Sequence, residues 1–355
     1  MRPTLRLLSR PLAGQVPESV LQRSLPEKRN FIRTLEPIRR SVEVVTPAEF
    51  SEYTRDEKPL VFKQKQIGWE GSRLTQKWFI TKHEHGAHAS TYLNSFGNTL
   101  VTYELTLTRN VGRFTHSLER GDIREILSRF VVENSYANKP SHFIRFQAPL
   151  DLFLAALDYN SKQEIPANRL SSLYIAQSSI ADLPASLRED IAPPPLVDTN
   201  GIYSSSIWMG LTPTYTPLHR DPNPNLFRQL HGSKVVRIIP KKSGHGVFAA
   251  VQASIRGSAN SRLRGEEMMD GPEKDVLHDA VWTDEGNPKA GERTFYEARL
   301  DAGDALYLPS GWWHSLKSTS ADRGKSEAAS EGELNCSVNW WFRSSPAKKE
   351  GRGTL

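Results

Sequence analysis

Cysteine and long apolar runs are the two features that this sequence most clearly lacks. Cys336 is the single cysteine among 355 residues, which excludes an internal disulfide and every zinc or iron–sulfur site built from several cysteines. No apolar run approaches the roughly 20 residues that a membrane-spanning helix requires, so no membrane partner is predicted. The length is ample for a large buried core, and the many glycines, prolines and aromatic residues favour a β-rich fold with frequent turns.

Beyond residue 40 the chain has no excess of charge of either sign. Residues 1–40 carry nine basic and three acidic side chains, which accounts for the whole formal net charge of +6. The other 315 residues hold 37 basic and 37 acidic side chains. A nucleic-acid-binding domain usually has a basic bias of its own, so the sequence gives no strong signal for nucleic acid as a partner.

Residues 1–41 form a basic arm that has the composition of a mitochondrial transit peptide. Its first 15 residues contain no acid, and Arg2, Arg6 and Arg10 recur every four residues, so that a helix would align them in one cationic stripe. A disordered basic arm is the alternative, because Pro3 and Pro11 disfavour a helix. We therefore expect a mitochondrial location, with cytoplasm or nucleus as the alternative.

The order of the predicted elements indicates an α+β fold that is mainly β, with a helical N-terminal half. Helical periodicity is confined to the first half, whereas alternating strand patterns dominate from residue 171 onward, which is most simply a barrel or a double-sheet roll. Residues 42–345 are interpreted as one domain with insertions at about 252–294 and 318–333, the second of them low in complexity and expected to be mobile. Residues 346–355 are interpreted as a disordered tail.

Three potential metal ligands follow from strand geometry. His219 and Asp221 are two residues apart, so on a strand their side chains point to one side while Arg220 points to the other. His314 follows a Pro-Ser-Gly turn and begins a later strand. Two histidines and one carboxylate make a facial triad that suits non-haem Fe(II) used with dioxygen, although zinc would also accept these ligands.

Lys234 is the residue that favours iron over zinc. Leu226–Leu230 and the segment after His231-Gly232 are predicted as a hairpin that brings Lys234 back alongside His219. A lysine deep in a β-fold is costly unless it meets an anion, and a dicarboxylate that chelates iron at its other end would provide one. Thr216 lies three residues before His219 and reaches the same pocket only if the strand bends at Pro217.

The motifs around these residues resemble the JmjC (jumonji-C) family of cupin-fold Fe(II)/2-oxoglutarate oxygenases, of the small protein-hydroxylase type. The resemblance is carried by "TPLHRDPNPNLFRQLHGSK", "GDALYLPSGWWHSL", "SVNWWFR" and "SSLYIAQ", and it extends over about residues 42–345. It implies a double-stranded β-helix, or jelly-roll, core forming one JmjC/cupin-like catalytic domain. The interval from His219 to His314 is long for the small hydroxylases, which leaves the substrate cleft undefined.

The resemblance also implies a role for each site residue. Iron is assigned to His219, Asp221 and His314, and the far carboxylate of 2-oxoglutarate to Lys234, with hydroxyl donors from Thr216 and Tyr174. Asn225 and Asn339 are expected to line the co-substrate pocket, and Trp208 to flank the substrate.

The expected reaction consumes Fe(II)-bound 2-oxoglutarate and O2, releases succinate and CO2, and hydroxylates a side chain of a protein or peptide. Hydroxylation is favoured over demethylation of methyl-lysine because no cysteine-based zinc reader or basic chromatin-binding body is present. A small-molecule oxygenase and a non-catalytic cupin-like binding protein are the remaining alternatives. The sequence does not indicate the oligomeric state, and the run containing His83, His85 and His88 is interpreted as a solvated loop.

Overall fold

The structure, a computed structural model, describes residues 33–38, 45–55, 57–63, 74–82, 86–106, 123, 126–127, 143–195, 197–255, 269, 272–283 and 293–343. The chain divides into two compact units, 1–31 and 32–355, and every described residue lies in the second. Within these ranges, no helix combines the length and the apolar character needed to cross a membrane.

Fifteen strands and seven α-helices make up the described part. The strands are β1 (Arg33–Pro37), β2 (Leu60–Phe62), β3 (Phe79–Lys82), β4 (Gly86–Ala89), β5 (Leu100–Thr106), β6 (Phe143–Pro149), β7 (Leu173–Ser179), β8 (Ile202–Leu211), β9 (Tyr215–Arg220), β10 (Asn225–His231), β11 (Ser233–Ile239), β12 (Arg293–Leu300), β13 (Ala305–Leu308), β14 (Trp313–Thr319) and β15 (Leu334–Phe342). The helices are α1 (Pro47–Arg55), α2 (Leu74–Trp78), α3 (Thr91–Asn94), α4 (Asp151–Ser161), α5 (Ala185–Asp190), α6 (Lys241–Ile255) and α7 (Pro272–Trp282).

Two large sheets form the body of the fold. The five-stranded sheet has the order β1-β12-β11-β14-β9, and the eight-stranded sheet has the order β2-β13-β10-β15-β8-β7-β5-β6. From β8 to β15 the chain passes repeatedly from one sheet to the other, which is the winding of a double-sheet roll. The predicted mainly β fold with helices in the N-terminal half is confirmed.

The space between the sheets is apolar away from the site. Buried residues from the facing sides of both sheets pack there in one cluster, which includes Phe227, Val236, Ile238, Leu306 and Leu316. A second and larger cluster covers the other face of the eight-stranded sheet and contains Cys336. Burial raises the pKa of the Cys336 thiol to about 12, so this cysteine is an ordinary core residue.

The hairpin predicted for residues 226–239 is wrong. β10 pairs with β13 and β15, whereas β11 pairs with β12 and β14 in the other sheet. Gly232 lies between them with φ 68°, a left-handed conformation that glycine adopts without steric cost. The turn therefore carries the chain across the roll instead of folding it back on itself, and Lys234 reaches the pocket through pairing of β11 with β14.

The structure also differs from the sequence interpretation at two segments. β1, which lies within residues 1–41, pairs in parallel with β12, and Ile38 is buried in the cluster between the sheets; the sheet therefore begins before the predicted arm ends. Residues 272–282, inside the first predicted insertion, form helix α7 with Leu277 and Val281 buried. Of the tail, residues 346–355 lie outside the described residues.

The predicted loop at 318–333 is bonded to the body of the protein. The Ser330 carbonyl accepts a hydrogen bond from the Thr212 hydroxyl, and the Gly332 carbonyl accepts one of 2.9 Å from the Asn160 amide. These contacts fix the end of the segment where β15 begins.

Candidate metal centre

Antiparallel pairing of β9 with β14 brings the two predicted histidine ligands together. His219 lies directly opposite His314 in this pair, and directly opposed residues of an antiparallel pair project from the same face. Their ring centroids are 4.2 Å apart. Asp221 follows the last residue of β9 and completes the cluster.

The three side chains converge on one point. His219 Nε2 is 3.9 Å from Asp221 Oδ1, and His314 Nε2 is 3.8 Å from Asp221 Oδ2. All three ligand atoms lie within 4.8 Å of one another, and among the described residues this is the only group of three or more His, Cys, Asp and Glu side chains arranged so that it could hold a metal ion. Spacings of this size suit ligands around a single ion.

Hydrogen bonds orient both imidazoles with Nε2 toward the cluster. His219 Nδ1 is 2.9 Å from the Pro217 carbonyl, and His314 Nδ1 is 3.3 Å from the Trp312 carbonyl. A carbonyl only accepts, so each Nδ1 carries the proton and each Nε2 keeps its lone pair. Burial lowers the pKa of His314, against an opposing effect of Asp221, which favours the neutral imidazole that binds metals.

A chain of side-chain hydrogen bonds supports Asp221 from the opposite sheet. The Asn225 amide donates to Asp221 Oδ2 at 2.9 Å, the Asn339 amide donates to Asn225 Oδ1 at 3.2 Å, and the Trp208 indole donates to Asn339 Oδ1 at 2.7 Å. The three residues predicted for the pocket and the substrate side are thereby connected to a ligand residue. Trp208 was predicted to flank the substrate, and the structure shows its N–H engaged in this chain.

Substitution of Asn225 by alanine removes the amide that fixes Asp221. We expect metal affinity to fall roughly 10- to 100-fold, as is usual when a group that orients a ligand is lost. Calorimetric titration with Mn(II) measures the effect. The matched control is Asn223→Ala, because the Asn223 amide bonds Tyr203 Oη at 2.8 Å instead of a ligand; equal affinities in the two variants would contradict the assigned role.

Lys234 is enclosed between the two sheets. Lys234 is only 3% exposed. Its Nζ is 3.1 Å from Ser337 Oγ and 3.3 Å from Tyr174 Oη. Tyr174, predicted as a hydroxyl donor to the co-substrate, therefore lies beside the lysine. Ser337 was missed, although it is two residues before Asn339 on β15 and so faces the same side of the strand.

A β-bulge turns Thr216 toward the pocket. Leu316 pairs with Thr216 and His314 with His219, so one residue of β14 opposes the two residues Pro217 and Leu218 of β9. The extra residue in β9 shifts the alternation of its side chains by one position. Thr216 therefore projects from the same side as His219 despite the odd spacing. The bend at Pro217 that the sequence required is present.

Strand register places the candidate metal ligands and the lysine on one face. Lys234 opposes Ser318, and Ile238 opposes His314; since His314, Leu316 and Ser318 alternate along β14, Lys234 shares the inner face with the triad. The site thus combines a nitrogen- and oxygen-ligand set, which accepts Fe(II), with a buried ammonium group. These residues fit the iron and the dicarboxylate that the resemblance implies.

Not every histidine of the run near residue 85 is described. His83 and His85 lie outside the described residues, and His88 lies on β4, where it is partly buried. It faces a cavity of about 340 Å³ that is also lined by Asn94, Asp151 and Asp158. No group of metal-ligating side chains forms there among the residues that the structure describes.

A double-sheet roll that holds two histidines and a carboxylate between its sheets defines a cupin-type metal-binding protein. The chain belongs to the cupin-like domain family, whose model matches residues 46–348, and its relatives include a Jumonji C domain-containing protein. The predicted family is therefore confirmed.

Three curated relatives each align with less than half of this chain. Lysine-specific demethylase JMJ30 of Arabidopsis thaliana is 30% identical over 171 residues, which are 48% of this chain and 33% of that protein. Jumonji C domain-containing protein 5 of Drosophila melanogaster is 30% identical over 152 residues, or 41% of this chain and 33% of that protein. Lysine-specific demethylase 8 of Xenopus tropicalis is 21% identical over 173 residues, or 48% and 32%. The aligned stretch spans about a third of each relative's length.

Proposed function

We propose that the chain is an Fe(II)- and 2-oxoglutarate-dependent oxygenase that acts on a side chain of a protein or peptide. The observation that carries the proposal is the shared inner face of β9, β11 and β14, which presents a His–Asp–His cluster together with a buried lysine. A zinc hydrolase would use the same three ligands, but it has no need for a buried ammonium group beside them.

Each residue has a defined task in this proposal. His219, Asp221 and His314 would hold Fe(II), which when bound supplies the oxidising chemistry with O2 and 2-oxoglutarate. Lys234 neutralises the far carboxylate of 2-oxoglutarate, and Tyr174, Thr216 and Ser337 offer hydroxyl groups around it. Asn225 and Asn339 hold Asp221 in place. The balanced reaction converts 2-oxoglutarate, O2 and a C–H bond into succinate, CO2 and a C–OH group.

Hydroxylation and demethylation share this first step. Hydroxylation of an N-methyl carbon of lysine gives an N-hydroxymethyl group, whose C–N bond breaks to release formaldehyde and the demethylated amine, whereas a hydroxyl group on an ordinary side-chain carbon remains. The names of the similar proteins from Arabidopsis and Xenopus include lysine demethylation, so demethylation is supported at least as well as the stable hydroxylation favoured by the sequence. We propose methyl-lysine demethylation as the second activity to be tested.

The first experiment measures succinate. Purified protein with Fe(II), ascorbate and 2-oxoglutarate is expected to form succinate slowly without substrate, and a His219→Ala variant should not. Succinate formation at an equal rate in that variant would remove the proposed iron centre from the reaction. Peptides carrying unmodified or methylated lysine then separate the two activities, because one gains an oxygen atom and the other loses a methyl group with release of formaldehyde.

We also propose that the basic arm directs the protein to mitochondria. The composition of residues 1–40 supports the proposal, and the position of β1 limits it, because a cleavage that preserves the sheet must fall before Arg33. A fluorescent fusion carrying residues 1–32 tests it against a fusion in which Arg2, Arg6 and Arg10 are replaced by glutamine. Cytosolic or nuclear fluorescence of the first fusion would refute the proposal.

A further inference from the structure

Helix α7 lies behind the β9–β14 pair, on the face opposite the metal ligands. Tyr215 of β9 packs edge-on against His278 of α7 with ring centroids 5.4 Å apart, and Lys317 Nζ of β14 lies 4.8 Å from the centre of the Trp282 ring. Tyr215 and Lys317 oppose each other in the strand pair. The helix comes from the long interval between His219 and His314, which is where the chain departs from the small hydroxylases.

The end of α7 is held firmly against the sheet. Trp282 is 7% exposed, and the guanidinium carbon of Arg237 lies 4.8 Å from the centre of its ring. Arg237 also donates a hydrogen bond of 2.7 Å to the Val281 carbonyl. These contacts fix the direction of the Trp282 indole N–H.

That N–H begins a two-step hydrogen-bond path to the β-bulge. The indole donates to Ser315 Oγ at 3.0 Å, and the Ser315 hydroxyl donates to the Thr216 carbonyl at 2.7 Å. Ser315 is fully buried, and it is the single β14 residue that opposes the two residues of the bulge. Because a bulge disrupts the ladder locally, a buried carbonyl beside it depends on such a partner.

We propose that α7, through Trp282 and Ser315, is a positioning element for the co-substrate: it holds the bulge that turns the Thr216 hydroxyl into the 2-oxoglutarate pocket. The inference rests on the proposed function. Ser315 and Trp282 do not touch the co-substrate themselves; they act through the backbone of Thr216. The long segment between the two metal-binding motifs thus supports the site from the outer face of the β9–β14 pair.

The test compares 2-oxoglutarate affinity in single and double variants, measured calorimetrically on the full chain loaded with Mn(II). Ser315→Ala is expected to weaken 2-oxoglutarate binding roughly five- to twentyfold, the effect of losing one buried hydrogen bond, and to leave Mn(II) affinity within about twofold. Trp282→Phe, which keeps an aromatic ring without the N–H, is expected to have a smaller effect in the same direction. Asp275→Ala, on an exposed position of the same helix, is the control and should bind as wild type.

The decisive comparison uses Thr216→Val, which removes the hydroxyl but keeps the branched shape. If Ser315 acts through Thr216, the double variant Ser315→Ala/Thr216→Val binds 2-oxoglutarate no more weakly than Thr216→Val alone. Multiplying effects, or an unchanged affinity in Ser315→Ala, would overturn the inference while leaving the proposed function intact. Should Ser315→Ala fail to fold, Trp282→Phe is combined with Thr216→Val and judged by the same criterion. Absence of any 2-oxoglutarate binding by the wild type would overturn both proposals.

Discussion

Substitution of Lys234 by methionine is expected to weaken 2-oxoglutarate binding severely without destabilising the protein. Loss of one partner of a buried charge pair costs about 2–5 kcal/mol, which is roughly a thirtyfold to several-thousandfold loss of affinity. The ammonium group is itself costly to bury, and exchange of a buried charge for an apolar side chain of similar length is often neutral or stabilising. We therefore expect the melting temperature without co-substrate to stay equal or rise.

Two measurements check this result, the dependence of succinate formation on 2-oxoglutarate concentration and thermal unfolding. Lys241→Met is the matched control, because Lys241 is exposed and pairs with Glu57 at 2.6 Å, away from the pocket. A Lys234→Met protein that binds 2-oxoglutarate as tightly as the control would show that the lysine does not bind the carboxylate.

Loss of a metal ligand is expected to have the second large effect. His314→Ala removes one of three ligand atoms, so metal affinity should fall by more than the roughly hundredfold that marks the upper range for supporting residues. Succinate formation should become undetectable at ordinary Fe(II) concentrations, since the reaction depends on the ion. Mn(II) titration and a succinate assay measure the two quantities.

The control for this variant is another histidine, His245, which is exposed on α6. His245→Ala should keep wild-type metal affinity and succinate formation. Retention of full metal affinity by His314→Ala would instead mean that the ion, if any, is bound by other residues.

The convergence of the three candidate metal ligands was predictable because it depends on short-range spacing. His219 lies on β9 and Asp221 directly follows the strand, so the two-residue repeat of an extended chain brings both side chains to one side. His314 follows a turn that fixes where the next strand starts. The path of the chain between the sheets was not predictable in this way. An apolar strand, a Gly turn and a second strand fit a hairpin and a crossing between sheets equally well, and only the pairing partners of β10 and β11 distinguish them.

Tertiary contacts also determine the features that the sequence analysis missed. Ser337 lies beside Lys234 because β15 faces β11 across the roll, and along the chain only its two-residue spacing from Asn339 indicates this. Helix α7 was interpreted as part of an insertion, because residues 252–294 as a whole are polar and rich in turn residues and show little periodicity. Its proposed role depends on the contact of Trp282 with Ser315 of β14, which lies 33 residues further along the chain.

The register of β11 against β14 has a consequence for the co-substrate of the proposed reaction. Lys234 lies opposite Ser318, which is four residues from His314 on β14. The distance between the histidine and the ammonium group is therefore set by the hydrogen-bonded pairing of β11 with β14. The smallest slip that keeps the lysine facing inward is two residues, about 7 Å, which exceeds the change in length from one dicarboxylic acid to the next. In the proposed function, the backbone therefore sets the distance between the iron ligands and the ammonium group that the co-substrate has to bridge.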